Sequence, residues 1–233
     1  MASGFRSGFR SGFGFGNRKS RGYRKYRPLP GLIVIGVLGL VALVVWVRAI
    51  TTNDNVDAQI RCAPAPTPAL GTVYTPLAHT ALDDAAPLPP SEIAVTVLNA
   101  SQGRGEAAIT TESLRGLGFT QIAAPDNDPA YPQGDAQCQG QIRFGDAGTS
   151  AARTLSLVMP CAELVKDNRP DATVDLSLGN GFQQLQPNAQ ARQVLQQLND
   201  WAARHSGDGS EGSPATSPVI DPALLAAAHN VAC

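Results

Sequence analysis

A glycine-rich turn between a predicted strand and a predicted helix holds the residues best suited to bind a ligand. It reads Gly103-Arg104-Gly105-Glu106-Ala107-Ala108, a G-x-G-x-x-A spacing, and it follows Asn99 and Ser101. In dinucleotide-binding proteins this spacing brings a pyrophosphate to the N-terminus of a helix. Here the connection from Asn99 to Gly103 is longer than the tight first turn of that fingerprint. We therefore expect no nucleotide and predict no cofactor.

The same turn offers a simpler binding site. Free N–H groups at the N-terminus of a helix attract anions. Beside them, Asn99, Ser101, Gly103, Arg104 and Gly105 could hold an anionic group. The alternative is a turn that only caps the helix. We name these five residues as the candidate binding site and predict no catalytic residue.

Other patterns of catalysis and metal binding are missing from the sequence. No serine lies in a G-x-S-x-G context, and His79, His205 and His229 fall in different segments. The acidic stretch from Asp126 to Asp135 lacks the spacing of a calcium loop. No cysteine belongs to a C-x-x-C pair, so a zinc site is not expected. These observations favour a binding protein over an enzyme.

An apolar run near the N-terminus predicts one transmembrane helix at residues 31–50. Gly31 to Val47 contains no polar side chain and would span about 26 Å as a helix, and Arg48 can extend its charge to the lipid interface. Eight basic residues and no acid precede the run, whereas all 19 acidic residues follow it. This asymmetry predicts a single-pass inner-membrane protein with a cytoplasmic N-terminus and an extracytoplasmic C-terminal domain. The competing interpretation is a signal peptide cleaved near Val56-Asp57-Ala58.

Composition divides the rest of the chain. Residues 1–30 form a basic tail with repeated Ser-Gly-Phe-Arg, which we expect to be disordered and to fix topology rather than to bind nucleic acid. Residues 51–91 are rich in Pro, Ala and Thr, as in a semi-rigid linker. Residues 92–204 carry the periodic patterns of a folded domain. Residues 205–233 combine a Gly/Ser linker with a short helix at 223–228.

The folded region predicts a small α/β domain. Its order is βαβ followed by βαβ, which favours one sheet with both helices packed against it, and an additional amphipathic helix follows near the C-terminus. The predicted strands are 93–98, 119–123, 141–144 and 173–178, with a short apolar piece at 162–165. The predicted helices are 105–117, 149–159 and 188–204.

Four cysteines lie on the predicted exported side, where disulfides persist: Cys62, Cys138, Cys161 and Cys233. We predict the pair Cys138–Cys161, because the intervening strand and helix are each roughly 13 to 16 Å long and return both cysteines to one end of the sheet. Cys62 and Cys233 then remain for each other. The alternative is free or intermolecular thiols at flexible ends.

Five short segments between Ile93 and Phe182 resemble the LytR C-terminal domain, an accessory module of LytR-CpsA-Psr envelope proteins. They are Val95–Ser101, Leu114–Thr120, Ile142–Gly145, Ala151–Leu155 and Val174–Gly179. With the Ser-Gly-Phe-Arg tail and the single anchor, the whole chain resembles an actinobacterial family of cell envelope integrity proteins. The resemblance implies an envelope role without a known reaction. The glycopolymer-transferring domain of LytR-CpsA-Psr proteins has no room here.

These inferences predict a non-enzymatic, membrane-anchored protein that contributes to cell envelope integrity. Its expected partners are the membrane, through one helix, and a wall polymer, an envelope lipid or an envelope protein. The alternative is an enzyme, or an enzyme subunit, of envelope glycopolymer assembly.

Overall fold

The computed structural model describes residues 29–68, 71–205, 218–231 and 233, and the chain divides into the units Met1–Val47 and Arg48–Cys233. The first helix, α1, is Leu29–Ile60. The large apolar side chains described from Ile33 to Val47 are each more than half exposed. Within the part of the chain whose side chains are described, no helix is long and apolar enough to cross a bilayer. The predicted basic tail and most of the predicted Gly/Ser linker lie outside the described residues.

The unit from Arg48 to Cys233 is built on a seven-stranded mixed sheet. Its strands lie in the order β1-β6-β5-β7-β2-β3, and β4 pairs with β2. Strand β2 runs parallel to β3, β4 and β7, whereas β5 runs parallel to β6 and antiparallel to β7. The strands are β1 (Thr75–Pro76), β2 (Ala94–Asn99), β3 (Gln121–Ile122), β4 (Asp126–Asn127), β5 (Gly140–Phe144), β6 (Glu163–Lys166) and β7 (Val174–Leu178).

Four helices accompany the sheet, each at a place where the sequence has an apolar face. They are α2 (Glu106–Gly116), α3 (Thr149–Val158), α4 (Ala189–His205) and α5 (Pro222–His229). Helix α2 ends just before Gly118, whose positive φ of 99° suits a glycine after a helix. Helix α3 is the most enclosed, since Ala151 to Val158 are all buried. Leu155 and Val158 join the main core beneath the sheet.

The predicted α/β fold is confirmed, and so is its first βαβ unit, the parallel crossover β2-α2-β3. The second unit differs from the prediction, because α3 leads to β6, which is parallel to β5 and was predicted only as a short apolar piece. The position of the last strand was not foreseen. Strand β7 enters between β5 and β2 and joins the two halves through an antiparallel pair. Its alternate residues Val174, Leu176 and Leu178 are fully buried on one face, and on the other face Asp175 accepts from Arg169 while Ser177 donates to Asp128.

The segment 51–91, predicted as a linker, lies largely on the domain. Helix α1 continues to Ile60, and Thr75–Pro76 pairs with β6 at the edge of the sheet. Leu82 is only 2% exposed and belongs to the main core. Proline has no backbone N–H, so a Pro-rich chain leaves few backbone donors unpaired. It can therefore follow the surface of the domain while its scattered apolar side chains are buried.

All four cysteines form disulfides, but the predicted pairing is wrong. The structure joins Cys62 to Cys138 and Cys161 to Cys233. The prediction treated Cys62 as part of a free linker. Instead, the backbone N–H of Cys62 donates to Glu163 at the start of β6, which places Cys62 beside β5 and Cys138. Cys161 therefore pairs with Cys233 and holds the segment that follows α5.

Candidate functional site

A cavity of about 900 Å³ opens beside α3 and α5. Its walls come from the end of α1, the loop before β2, α3 and the segment from Pro222 to Cys233. We call it the histidine cavity and define it by five polar residues, Asp57, His79, Asp83, Arg153 and His229.

Helix α5 is held in place by three local features. The Asp221 carboxylate accepts a hydrogen bond from the backbone N–H of Ala223 at 2.8 Å, and Pro222 starts the helix. The Asn188 side chain donates to the carbonyls of Ala227 and Ala228, so the start of α4 is tied to the end of α5. The Cys161–Cys233 disulfide fixes the chain beyond α5. The wall that carries His229 is therefore preformed.

The two imidazoles of the cavity stack on each other. The ring centroids of His79 and His229 are 4.1 Å apart, with 6° between the ring planes. His79 Nε2 lies 2.9 Å from the carbonyl oxygen of Pro160, and its backbone N–H donates to Asp57 at 2.7 Å. Since a carbonyl oxygen can only accept, His79 carries a proton on Nε2. Both rings are thus fixed by partners outside the stack.

His229 is held in its neutral form. Its Nδ1 lies 2.9 Å from Asp83 Oδ1, and its side chain is buried. Burial, and then the nearby His79 and Arg153, lower the pKa of His229 to about 4, although Asp83 acts in the opposite direction. Because the carboxylate accepts, the neutral ring carries its proton on Nδ1.

Arg153 of α3 supplies a buried guanidinium. Its side chain is 1% exposed, and Nη1 lies 3.0 Å from Asp83 Oδ1. Burial lowers the pKa of Arg153, and the Asp83 carboxylate partly restores it. Yet Nε and Nη1 have no aligned hydrogen-bond acceptor among the described residues. Arg153 therefore has a charge partner but unused donors, which is an unfavourable state for a buried group.

Sequence reasoning missed the histidine cavity. His79, Asp83 and His229 were assigned to linker or tail, and Arg153 falls within an otherwise regular helical pattern. Asp83 and His229 are 146 residues apart in sequence. No local spacing could have revealed this arrangement.

Most residues of the predicted binding turn lie close together in the structure, but their polar groups form hydrogen bonds with one another. The Asn99 amide donates to the carbonyl of Gly103 at 2.7 Å, and its Oδ1 accepts from the backbone N–H of Ser101 at 3.0 Å. Ser101 Oγ accepts from the N–H of Gly103 and lies 2.6 Å from a carboxylate oxygen of Glu106. Glu106 thus carries a negative charge into the first turn of α2, where an anion would bind.

The other two residues of the predicted turn lie at its outer side. Gly105 has a positive φ of 79° and immediately precedes α2, while Arg104 is exposed. This geometry is that of a capping turn. Anion binding by these five residues stays a prediction.

A second polar cluster holds the acidic loop, Asp126 to Asp135, against the sheet. The buried guanidinium of Arg143 donates to both carboxylate oxygens of Asp128, at 3.1 and 2.7 Å, and also to Gln141. The hydroxyl of Ser177 donates to the same carboxylate. Every charge in this cluster is compensated, so its role is to fix the loop that begins at β4. A charged residue between Ile142 and Phe144 was the one sequence signal for it.

Comparison with known proteins places this geometry in context. Residues 92–182 match the family model described as LytR cell envelope-related transcriptional attenuator. The chain is 39% identical over 221 residues to the cell envelope integrity protein Cei of Mycobacterium tuberculosis, in an alignment that covers 93% of this chain and 95% of that protein. It also resembles the crystal structure of the soluble domain (residues 71–217) of a conserved hypothetical secreted protein from Mycobacterium marinum. That match has a TM-score of 0.57 and 38% identity, and covers 68% of this chain and 97% of the other.

Proposed function

Because the chain belongs to the family of the cell envelope integrity protein Cei and carries its LytR C-terminal domain, we propose that it is a membrane-anchored protein that supports the envelope by binding one of its components. The family supports the envelope role. A wall polymer, an envelope lipid and an envelope protein are the component classes considered. In this proposal the protein acts by binding and not by catalysis.

The histidine cavity is the observation that carries the binding role. Ligand sites in proteins are concave, largely preformed and about 300 to 1,000 Å³ in volume, and this cavity of about 900 Å³ fits that description. The Cys161–Cys233 disulfide and the Asn188 hydrogen bonds hold its α5 wall. A preformed wall lowers the entropy lost on binding.

Membrane anchoring is supported by α1. Its described apolar side chains between Ile33 and Val47 are exposed as a continuous surface, which water solvates poorly and lipid solvates well. The basic residues before this run favour a cytoplasmic N-terminus. The two disulfides are typical of an exported domain.

The anchor is tested by fractionation of cells that express the full chain. We expect the protein to remain in the membrane after a salt wash and its C-terminal domain to be cut by protease from outside once the outer layers are removed. Release of a soluble form that begins near Gln59 would instead support the cleaved signal peptide.

The binding role is tested with the unit Arg48–Cys233, which contains the main core and both disulfides. The immobilised unit is incubated separately with fractionated wall polymer, envelope lipid and membrane protein. We expect specific retention from one fraction. In parallel, labelled glycopolymer transfer is measured with the same unit. Turnover that is abolished by substitution of Asn99 or Arg104 would overturn the non-enzymatic role.

A further inference from the structure

We propose that the histidine cavity binds a neutral acyl amphiphile, a molecule with one apolar chain and an uncharged head that presents oxygen acceptors. This inference rests on the proposed function and deepens it. Of the three component classes, it assigns a lipid-like molecule to this cavity.

The apolar part of the ligand is indicated by the walls of the cavity. Aliphatic side chains line it from three separate segments, namely the end of α1, the loop before β2 and the region of α5. Val56, Ala85, Leu225 and Val231 are among them. Burial of each additional methylene there should tighten binding about fourfold.

The polar part of the ligand is indicated by Arg153. Its buried Nε and Nη1 groups have no aligned acceptor among the described residues, although Arg153 lines a cavity large enough for a small molecule. Buried donors of this kind are normally satisfied. An oxygen from the head of a ligand would satisfy them, after a small movement that opens the guanidinium to the cavity.

The charges around Arg153 decide that this oxygen is neutral. Asp83 already compensates the guanidinium at 3.0 Å. Asp57 and Asp84 add two further carboxylates to the lining. A carboxylate or phosphate on the ligand would therefore meet net negative charge. What Arg153 lacks is an acceptor and not a counter-ion, so an ester, a hydroxyl or an amide oxygen fits best.

The test measures binding of monoacylglycerols to the unit Arg48–Cys233, whose soluble counterpart from Mycobacterium marinum crystallised as a domain. Decanoyl, dodecanoyl and tetradecanoyl chains are compared below their aggregation concentrations by isothermal titration calorimetry. Fatty acids of equal chain length form the anionic arm, and glycerol forms the arm without a chain. We expect one saturable site, affinity that rises about fourfold per methylene, and weaker binding of each fatty acid near neutral pH.

Two variants and one control variant locate the site. Arg153→Met removes the donors and should weaken binding at least tenfold. Ala226→Phe places a ring into the cavity, whereas Ala223→Phe adds the same ring to an exposed position of α5 outside the lining. We expect the first ring to abolish binding and the second to leave it unchanged. This pair keeps the test decisive if Arg153→Met fails to fold.

Three outcomes overturn the inference. They are equal binding by the Ala226→Phe and Ala223→Phe variants, tighter binding of fatty acids than of monoacylglycerols, and absence of chain-length dependence. If the unit retains wall polymer or protein but no monoacylglycerol, the inference fails and the proposed function stands. If it retains no envelope component at all, both fail.

Discussion

His229 should make the stability of the domain depend on pH. Its ordinary pKa of 6.5 falls to about 4 in the folded protein, chiefly because the ring is buried and also because His79 and Arg153 lie near it. Between these two values the unfolded chain holds a proton on this imidazole and the folded chain does not. The free energy of unfolding therefore falls as the pH decreases from about 6.5 to about 4, and it levels off below that range.

The size of the effect follows from the two pKa values. A difference of about 2.5 pH units corresponds to about 3 kcal/mol in full. Between about pH 7 and about pH 5 the expected loss from this one group is about 2 kcal/mol. That is a sizeable share of the stability of an ordinary domain, about 5 to 15 kcal/mol.

The assay is urea unfolding of the unit Arg48–Cys233, with the wild-type and the His229→Asn variant compared at both pH values. Asn retains an N–H that can reach Asp83 but does not titrate in this range. Far-UV circular dichroism is the appropriate probe. Trp201 stacks on His205, so tryptophan fluorescence would also respond to that second histidine. The wild type should lose about 2 kcal/mol more than the variant. Equal losses in the two proteins would show that His229 does not carry the effect.

Two further perturbations test the rest of the domain. Asp128→Asn leaves the Arg143 guanidinium buried without a full counter-charge and should lower the free energy of unfolding by about 3 to 5 kcal/mol. The double change Asp128→Leu with Arg143→Met removes both charges and should lower it clearly less. Urea unfolding of both variants measures the difference, and equal losses would contradict the prediction. Removal of the Cys62–Cys138 disulfide with two serines frees a loop with a sequence separation of 76 and should cost about 4 kcal/mol by the loop-entropy estimate. Non-reducing peptide mapping should recover Cys62 joined to Cys138, and a Cys138–Cys161 peptide would refute the pairing.

Local patterns were enough to predict the longer elements, whereas the two-residue strands β1 and β4 were not foreseen. Helix α4 was expected at 188–204 and is found at Ala189–His205, because its apolar residues recur with the period of a helix. Strands β2 and β5 were recognised from β-branched or apolar runs that end in turn residues. The first crossover, β2-α2-β3, followed from the order of these elements.

What sequence could not give was the contact between distant segments. The central place of β7 depends on which edge of β5 was still free, and the partner of Cys62 depends on where the chain after α1 reaches the sheet. The histidine cavity is the clearest case, since its polar groups come from four segments. Each of them alone has the composition of a linker, a tail or an ordinary helix.

The two disulfides join the cysteines in the order in which they occur along the chain, first with second and third with fourth. The loops they close do not overlap. An export pathway delivers a chain progressively, and an oxidase that joins each newly arrived cysteine to the one waiting before it would produce this connectivity directly. Pairing in order of arrival needs no later reshuffling by a disulfide isomerase.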